Sequence, residues 1–300
     1  SVNIALPSIG AEFMMNAILL SWVATAYLLA TAVFLIPFGR MADIIGRKRI
    51  YLYGFSVFTV ASAFCGISNS AFMLVFFRVL QGIGSAMIFG TGIAILMSVF
   101  PAGERGRALG TNVAVTYLGL SLGPSLGGVL TQNFGWRSIF LVNVPLGLVV
   151  IILLLWKLKL EWADAVGEKF DFIGSIINGS ALSGIICGFS LLPELPGAFL
   201  IFLGIAGIVA FGLFEVRTEA PVLNISLFKG NRVFIFSSLA ALINYSATYA
   251  VSFLVSLYLQ YIKALTPQQA GIVMVAQPAI QTVFSPSAGR LSDRIQPRKV

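Results

Sequence analysis

Ile139-Phe140-Leu141-Val142-Asn143-Val144-Pro145-Leu146-Gly147-Leu148-Val149-Val150-Ile151-Ile152-Leu153-Leu154-Leu155-Trp156 is a run of eighteen residues without a charged side chain, bounded by Arg137 and Lys157. A hydrocarbon core takes about 20 residues of helix to cross, and within it every backbone amide must find its partner inside the segment or in a closed barrel. The run does not alternate apolar and polar residues at period two, so it does not read as a barrel strand. It predicts a membrane-spanning helix. Similar runs precede it at about 18–38, 50–66, 71–99 and 109–130, with a partial span ending near Leu6, and follow it at about 172–192, 198–214, 233–259 and 269–288. Nine whole spans and one remnant agree with a 300-residue chain that is 58% hydrophobic and 10% charged, with mean hydropathy +0.95. An ordinary soluble domain is about 25% charged. The expected fold is therefore all-α, a polytopic membrane helical bundle in a cell membrane.

The net charge of +8 reports topology. Sixteen of the nineteen Lys and Arg residues fall on one side of the expected spans, Arg137 and Lys263 fall on the other, and Arg78 lies within a span. Basic residues in short loops stay on the cytoplasmic side, so the alternation orients the bundle and leaves no basic patch for a nucleic acid to explain. The connection from Lys157 to Asp171 mixes Glu161, Asp164, Glu168 and Asp171 with three lysines and reads as a solvated hinge. With no His, the sequence offers no Ser-His-Asp or Cys-His pair and no imidazole metal site. No G-x-x-x-x-G-K-[ST] loop is present, and Cys65 and Cys187 sit in apolar runs where a thiol acts as a small hydrophobe. An enzyme reading has no support, and no cofactor or metal is implied. Ser1 to Pro7 read as the last turn of a helix, so the sequence is expected to be cut at its start.

Gly39-Arg40-Met41-Ala42-Asp43 reappears as Gly289-Arg290-Leu291-Ser292-Asp293. Each copy follows a proline, Pro37 or Pro286, and is trailed by basic residues: Gly46-Arg47-Lys48-Arg49 in the first, Arg294 and Arg298-Lys299 in the second. Glycine ends a helix and lets backbones approach, while the acid and the arginines can form contacts that break and re-form. Internal repeats of this kind mark transporters. The pattern resembles the loop between spans two and three of major facilitator superfamily transporters. It departs from that pattern at Ile44, where the family has a basic residue, and at Gln296-Pro297, where it has Gly-Arg.

The two copies lie eight spans apart rather than the family's six. That spacing resembles the fourteen-span drug:proton antiporter branch, with two extra central helices at about 172–192 and 198–214. The resemblance implies a six-helix bundle over 1–160 with its first span partial, a hinge plus two inserted spans over 161–231, and two spans opening the second bundle over 232–300. Four further spans would follow Val300. It also assigns gating residues: Gly39, Asp43, Gly46, Arg47, Lys48, Arg49, Gly289, Asp293 and Arg294.

Arg78 and Gln81 share one face of the fourth span, where a charge is costly unless it meets water or a partner. They resemble the family's fourth-span motif, which implies a role in proton coupling. The nearby Gly82 and Gly84 follow no strand and lack a third glycine, so they do not read as a nucleotide loop. Gly119, Gly123, Pro124, Gly127 and Gly128 in the fifth span put small residues at spacing four, a face for tight packing with a proline that permits a kink. The pattern resembles the antiporter motif G-x-x-x-G-P-x-x-G-G, and the face over Gly119, Gly123 and Gly127 is expected to pack against another helix. Trp136 and Arg137 read as an external aromatic anchor.

Trp22, Tyr27, Tyr117, Asn244, Tyr245, Tyr249 and Gln260 are the candidate lining of a substrate cavity, with aromatic faces that suit apolar or cationic guests. No acidic residue lies mid-span. In the resembled branch a first-span Asp precedes the residue matching Asn3, and that position would lie before Ser1. The expected function is export of amphiphilic or cationic small molecules in exchange for protons by alternating access, by a monomer whose partners are its small-molecule substrate, protons and the lipid bilayer. The rival expectations are an exporter or facilitator of a specific metabolite or siderophore, and a non-transporting membrane sensor or scaffold.

Overall fold

A computed structural model describes residues 2–284 apart from 102, 103, 229 and 277. Its elements in chain order are α1 (Val2–Glu12), α2 (Ala17–Ile45), α3 (Arg47–Gly66), α4 (Ala71–Val99), α5 (Arg105–Phe134), α6 (Ser138–Leu141), α7 (Asn143–Lys157), α8 (Phe172–Ser190), α9 (Leu195–Glu215), α10 (Arg232–Leu257) and α11 (Pro267–Met274). A 3-10 turn at Ile225–Leu227 precedes α10, and a π-turn at Tyr258–Ile262 ends it. No strand occurs among the described residues. Among the described residues, seven segments are long and apolar enough to cross a membrane: Ala17–Ile45, Ala71–Val99, Arg107–Phe134, Ser138–Lys157, Phe172–Ser190, Leu195–Glu215 and Arg232–Ile262. Helix α3 carries Arg47, Lys48 and Arg49 in its first turn. Large apolar residues such as Phe72, Leu195 and Val233 are more than three-quarters exposed, as expected of surfaces that face acyl chains.

Element boundaries correct the sequence reading in four places. Helix α2 runs past Gly39 to Ile45, so the first Gly-Arg-Met-Ala-Asp copy lies on a helix end and the turn falls at Gly46, whose φ is 129°. Helix α1 reaches Glu12, beyond the partial span expected near Leu6. The span after the fifth is interrupted between α6 and α7 at Val142. Glu215, which the expected span at 198–214 leaves outside, is the last residue of α9 and is buried. Starts are fixed by local chemistry: Asp171 caps α8, accepting from the Gly174 N–H, and Thr266 with Gln269 forms a reciprocal cap on α11 ahead of Pro267.

The chain divides into two compact units. One comprises α1, the segment from Leu96 through α6, and the chain from Tyr245 through α11. Its core is the buried face of α1 at Ile4, Ala5, Leu6 and Ile9, together with Trp136, Ile139, Phe140 and Ala270. The other comprises α2, α3, α4 up to Ile95, and α7 through the first half of α10. Its core is built from small residues on α2, α3 and α4, including Ala24, Ala26, Ala30, Ala61, Cys65 and Ala86. Within it α7 packs on α3, α8 packs on α2, and α8 and α9 form a hairpin. Glycine permits that hairpin to close: a Cβ on Gly188 would lie 2.7 Å from the Gly197 carbonyl oxygen, and one on Gly204 would lie 2.7 Å from the Ala181 carbonyl oxygen.

Candidate functional site

The α2–α4 unit holds a continuous polar network inside an apolar core. Arg78 is 5% exposed and Gln81 is 2% exposed. Arg78 Nε donates to the Val23 carbonyl at 2.7 Å, its Nη1 donates to Gln81 Oε1, and Gln81 Nε2 donates to Ser62 Oγ at 2.6 Å. The guanidinium carbon lies 4.2 Å from the centre of the Tyr27 ring, and Tyr27 Oη shares a 2.6 Å hydrogen bond with Ser85 Oγ. Backbone contact makes this possible, because a Cβ on Gly82 would overlap the Tyr27 carbonyl oxygen. Thr31 Oγ1 donates to both Tyr27 O and Gly82 O, stitching the same pair of helices. The planar fork is thus distributed over a carbonyl, an amide and an aromatic face, which lowers the cost of holding a permanent charge out of water. Arg78 does not extend toward an interface.

On the side of the basic loops the first repeat copy forms a second cluster. Arg47 Nη2 bonds Asp43 Oδ1 at 2.7 Å and Asp164 Oδ2 at 2.5 Å, and Arg40 pairs with Glu168. The Lys48 N–H donates to Glu161 Oε1 at 2.8 Å, and Arg49 Nε lies 3.7 Å from Glu161 Oε2. Two backbone bonds complete the attachment: Arg47 N–H to Trp162 O at 2.8 Å and Ala165 N–H to Asp43 O at 2.9 Å. The expected solvated hinge therefore lies docked along the end of α2 and the start of α3, because three of its four acids, Glu161, Asp164 and Glu168, meet Arg49, Arg47 and Arg40. Gly46 is required twice over, by its positive φ and because a Cβ there would lie 2.6 Å from Glu161 Oε1. Burial opposes the Arg47 charge, but the hydrogen bonds and charges of Asp43 and Asp164 outweigh it and hold its pKa above the ordinary arginine value. Gly39 borders Gly90, whose own Cβ would lie 3.1 Å from the Leu35 carbonyl oxygen. The second copy, with Gly289, Asp293 and Arg294, lies outside the described residues.

In the other unit the fifth-span glycine motif meets α11. A Cβ on Gly128 would overlap the Pro267 carbonyl oxygen, and one on Gly271 would overlap the Pro124 carbonyl oxygen. The seam therefore runs through Pro124 and Gly128. Gly127 is buried and Gly123 is half-buried, but a Cβ on Gly119 would meet nothing within 4 Å, so the expected face begins further along the helix than Gly119. The Gln268 N–H to Gln132 Oε1 contact, at 3.4 Å, is a long hydrogen bond across the seam. Ser256 Oγ, fully buried, donates to the Asn3 carbonyl at 3.0 Å.

Trp136 is 3% exposed, so it is a buried lock rather than an aromatic anchor at an interface. Its Nε1 donates to Glu12 Oε2 at 2.7 Å, Arg137 bonds the same carboxylate, and Phe13 meets the indole edge-on at 5.7 Å. The donors on Arg137 and Trp136 hold the Glu12 carboxyl below the usual carboxylate range.

Of the seven candidate cavity residues, Tyr27 joins the Arg78 network, and Trp22 and Tyr117 are half-buried. Asn244, Tyr245 and Tyr249 are exposed on α10, where Tyr249 stacks on Phe253, and Gln260 donates to the Ser256 carbonyl within its own helix segment. The sequence reading missed Ser62, Ser85 and Thr31 as members of the Arg78 network, since hydroxyls in apolar helices are common and carry no spacing signal. It also missed the docking of the hinge, for which a signal existed: an acidic block at Glu161, Asp164 and Glu168 matching a basic block at Arg40, Arg47 and Arg49.

A family model described as the Major Facilitator Superfamily matches residues 1–300. The chain is 36% identical over 296 residues to the riboflavin transporter RibZ of Clostridioides difficile (strain 630), covering 98% of this chain and 64% of that protein. It is 31% identical over 303 residues to the multidrug resistance protein Stp of Mycobacterium tuberculosis, covering 99% of this chain and 56% of that protein. It is 30% identical over 301 residues to the tetracenomycin C resistance and export protein of Streptomyces glaucescens, again covering 99% and 56%. The chain thus spans between 56% and 64% of the length of these relatives.

Proposed function

Because the chain belongs to the Major Facilitator Superfamily and is a multi-pass integral membrane protein, we propose that it serves a secondary transporter exporting amphiphilic or cationic small molecules in exchange for protons by alternating access. The observation that carries this reading is the buried Arg78–Gln81–Tyr27 network. A guanidinium at membrane depth is retained against a cost of about 3 kcal/mol or more, and charged groups kept there mark substrate or proton pathways. Relatives named for multidrug resistance and for export of tetracenomycin C support the direction and the broad substrate class. The glycine and proline seam on α5, whose pattern resembles that of antiporters, supports exchange. The α8–α9 hairpin supports a reading of residues 161–231 as a hinge with two helices inserted between six-helix halves, as in fourteen-span drug:proton antiporters. The Asp43–Arg47 cluster takes the part of a gate latch, and each bundle presents its state-dependent contacts to substrate and proton in turn.

A second reading, export or facilitated diffusion of one defined metabolite, is favoured by the 36% identity to a riboflavin transporter. Counterflow in proteoliposomes containing the full-length protein separates the two. Ethidium counterflow that riboflavin does not compete with supports the first reading. Riboflavin counterflow without ethidium counterflow supports the second, and absence of both would leave a sensor or scaffold.

A further inference from the structure

At the end of the α8–α9 hairpin on the side of the basic loops, two carboxyl groups converge on one point. Asp171 Oδ1 is taken by the Gly174 N–H at 2.9 Å, and Glu215 Oε2 is taken by the Leu223 N–H at 3.3 Å. Their other oxygens, Asp171 Oδ2 and Glu215 Oε1, are both buried and have no partner among the described residues. Both point at Gly174, where a Cβ would overlap the first and lie 2.5 Å from the second. Glu215 as a whole is 2% exposed. A buried acceptor without a donor costs about 1–3 kcal/mol, and two facing carboxylates add like-charge repulsion.

No described cation is placed to neutralise them. Helices α8 and α9 carry no charged residue other than Glu215. On α2, packed against α8, Asp43 is bonded to Arg47, and Arg40 pairs with Glu168. Lys169 before the hairpin and Arg217 and Glu219 after it are exposed and make no ion pair among the described residues.

We propose that Asp171 and Glu215 together bind one proton, held as an O–H···O hydrogen bond between Glu215 Oε1 and Asp171 Oδ2. The proton comes from water on the side of the basic loops, and the pair changes from two negative charges to one. Each missing donor is supplied by the same proton. Because Asp171 caps α8 and Glu215 bonds the segment leading toward α10, the proton ties the foot of the hairpin to that connection. Its loss would place two charges in a site that solvent reaches poorly, and the joint would loosen. The protonated form is the one favoured by folding, so stability is present at low pH and falls as pH rises.

The test is the thermal midpoint of the purified full-length protein between about pH 5 and about pH 8. The wild type should lose at least about 2 °C toward the alkaline end. Glu215→Gln supplies an N–H to Asp171 at every pH, and Asp171→Asn keeps the helix cap while doing the same in reverse. Either variant should flatten the profile. Variant profiles parallel to the wild type would overturn the shared proton. Sodium or magnesium raising the wild-type midpoint at about pH 8, but not that of Glu215→Gln, would replace the proton with a metal cation and overturn it too. A protonated-carboxyl stretch is expected in the wild-type infrared spectrum at about pH 7 and is expected to be missing from that of Glu215→Gln; its absence from the wild type, or its persistence unchanged in the variant, contradicts the proposal. Stability and infrared absorption are read without a transport assay.

Discussion

Helices α2 and α4 meet through Gly82, and helices α5 and α11 meet through Gly128 and Gly271, yet the two close approaches are filled in different ways. Around Gly82 the backbone contact is surrounded by directional bonds from Arg78, Gln81, Thr31 and Tyr27. Around Gly128 and Gly271 the contact is largely backbone against backbone, with the long Gln268–Gln132 bond across it. Directional bonds fix a register, because any slide leaves buried donors unpaired. A glycine seam relies mainly on fit, and dispersion contacts vary smoothly with displacement. The first arrangement holds one register and the second tolerates small displacements.

The seam is the more easily disrupted of the two approaches. Gly128→Leu and Gly271→Leu each drive a side chain into a carbonyl group, and overpacking of this kind costs about 1–3 kcal/mol or more. Both should lower the thermal midpoint of the full-length protein and abolish transport, whereas Gly110→Leu, where a Cβ meets nothing within 4 Å, should change the midpoint little. Equal effects at Gly110 and Gly128 would remove the distinction between open and seam glycines.

Arg78→Leu should come next. It removes the donor to Val23 O and Gln81 Oε1; the Val23 carbonyl keeps its helical donor within α2, but Gln81 Oε1 is left a buried acceptor without a partner, at about 1–3 kcal/mol. Arg78→Lys keeps the charge but not the fork, so it should recover stability only in part. Full rescue of both midpoint and flux by lysine would show that geometry at Arg78 is irrelevant.

Asp43→Asn should cost less, about 1 kcal/mol, because the Arg47 pair is only partly buried and Asp164 remains. Transport is expected to fall while membrane insertion stays normal. Unchanged flux at wild-type expression would take the latch out of the gating cycle.

The smallest effect is at Glu12. Its carboxyl is held below the ordinary range by Arg137 and Trp136, so the stability it contributes is present above the usual carboxylate pKa and is lost as pH falls through the depressed one. Glu12→Gln should weaken the acid-side decline of the midpoint and leave the profile near about pH 7 unchanged. This is opposite in sign to the pH dependence expected at Glu215.

Legibility of these features in the sequence followed the range of the forces involved. Apolar run length is a local property that the bilayer imposes directly, so seven of the nine expected whole spans were readable, including the interrupted one at Val142 as a single crossing; those expected at 50–66 and at 269–288, the latter partly outside the described residues, are not among the seven. Arg78 and Gln81 stood out because a charge within an apolar run is rare, but the partners that satisfy them come from residues up to 55 positions away. The docked hinge depended on pairing across more than 100 residues, where charge sign is visible but register is not. Glu215 escaped notice because its burial is set by how the hairpin foot folds back on Gly174, a tertiary contact that neither composition nor periodicity encodes.

Proton exchange is the claim that most needs a direct measurement. Full-length protein in proteoliposomes, loaded with a pH-sensitive dye and given an ethidium gradient without an imposed pH gradient, should move protons opposite to ethidium, and an imposed pH gradient should in turn drive ethidium uphill. Ethidium flux that is indifferent to the pH gradient and moves no protons would contradict the account.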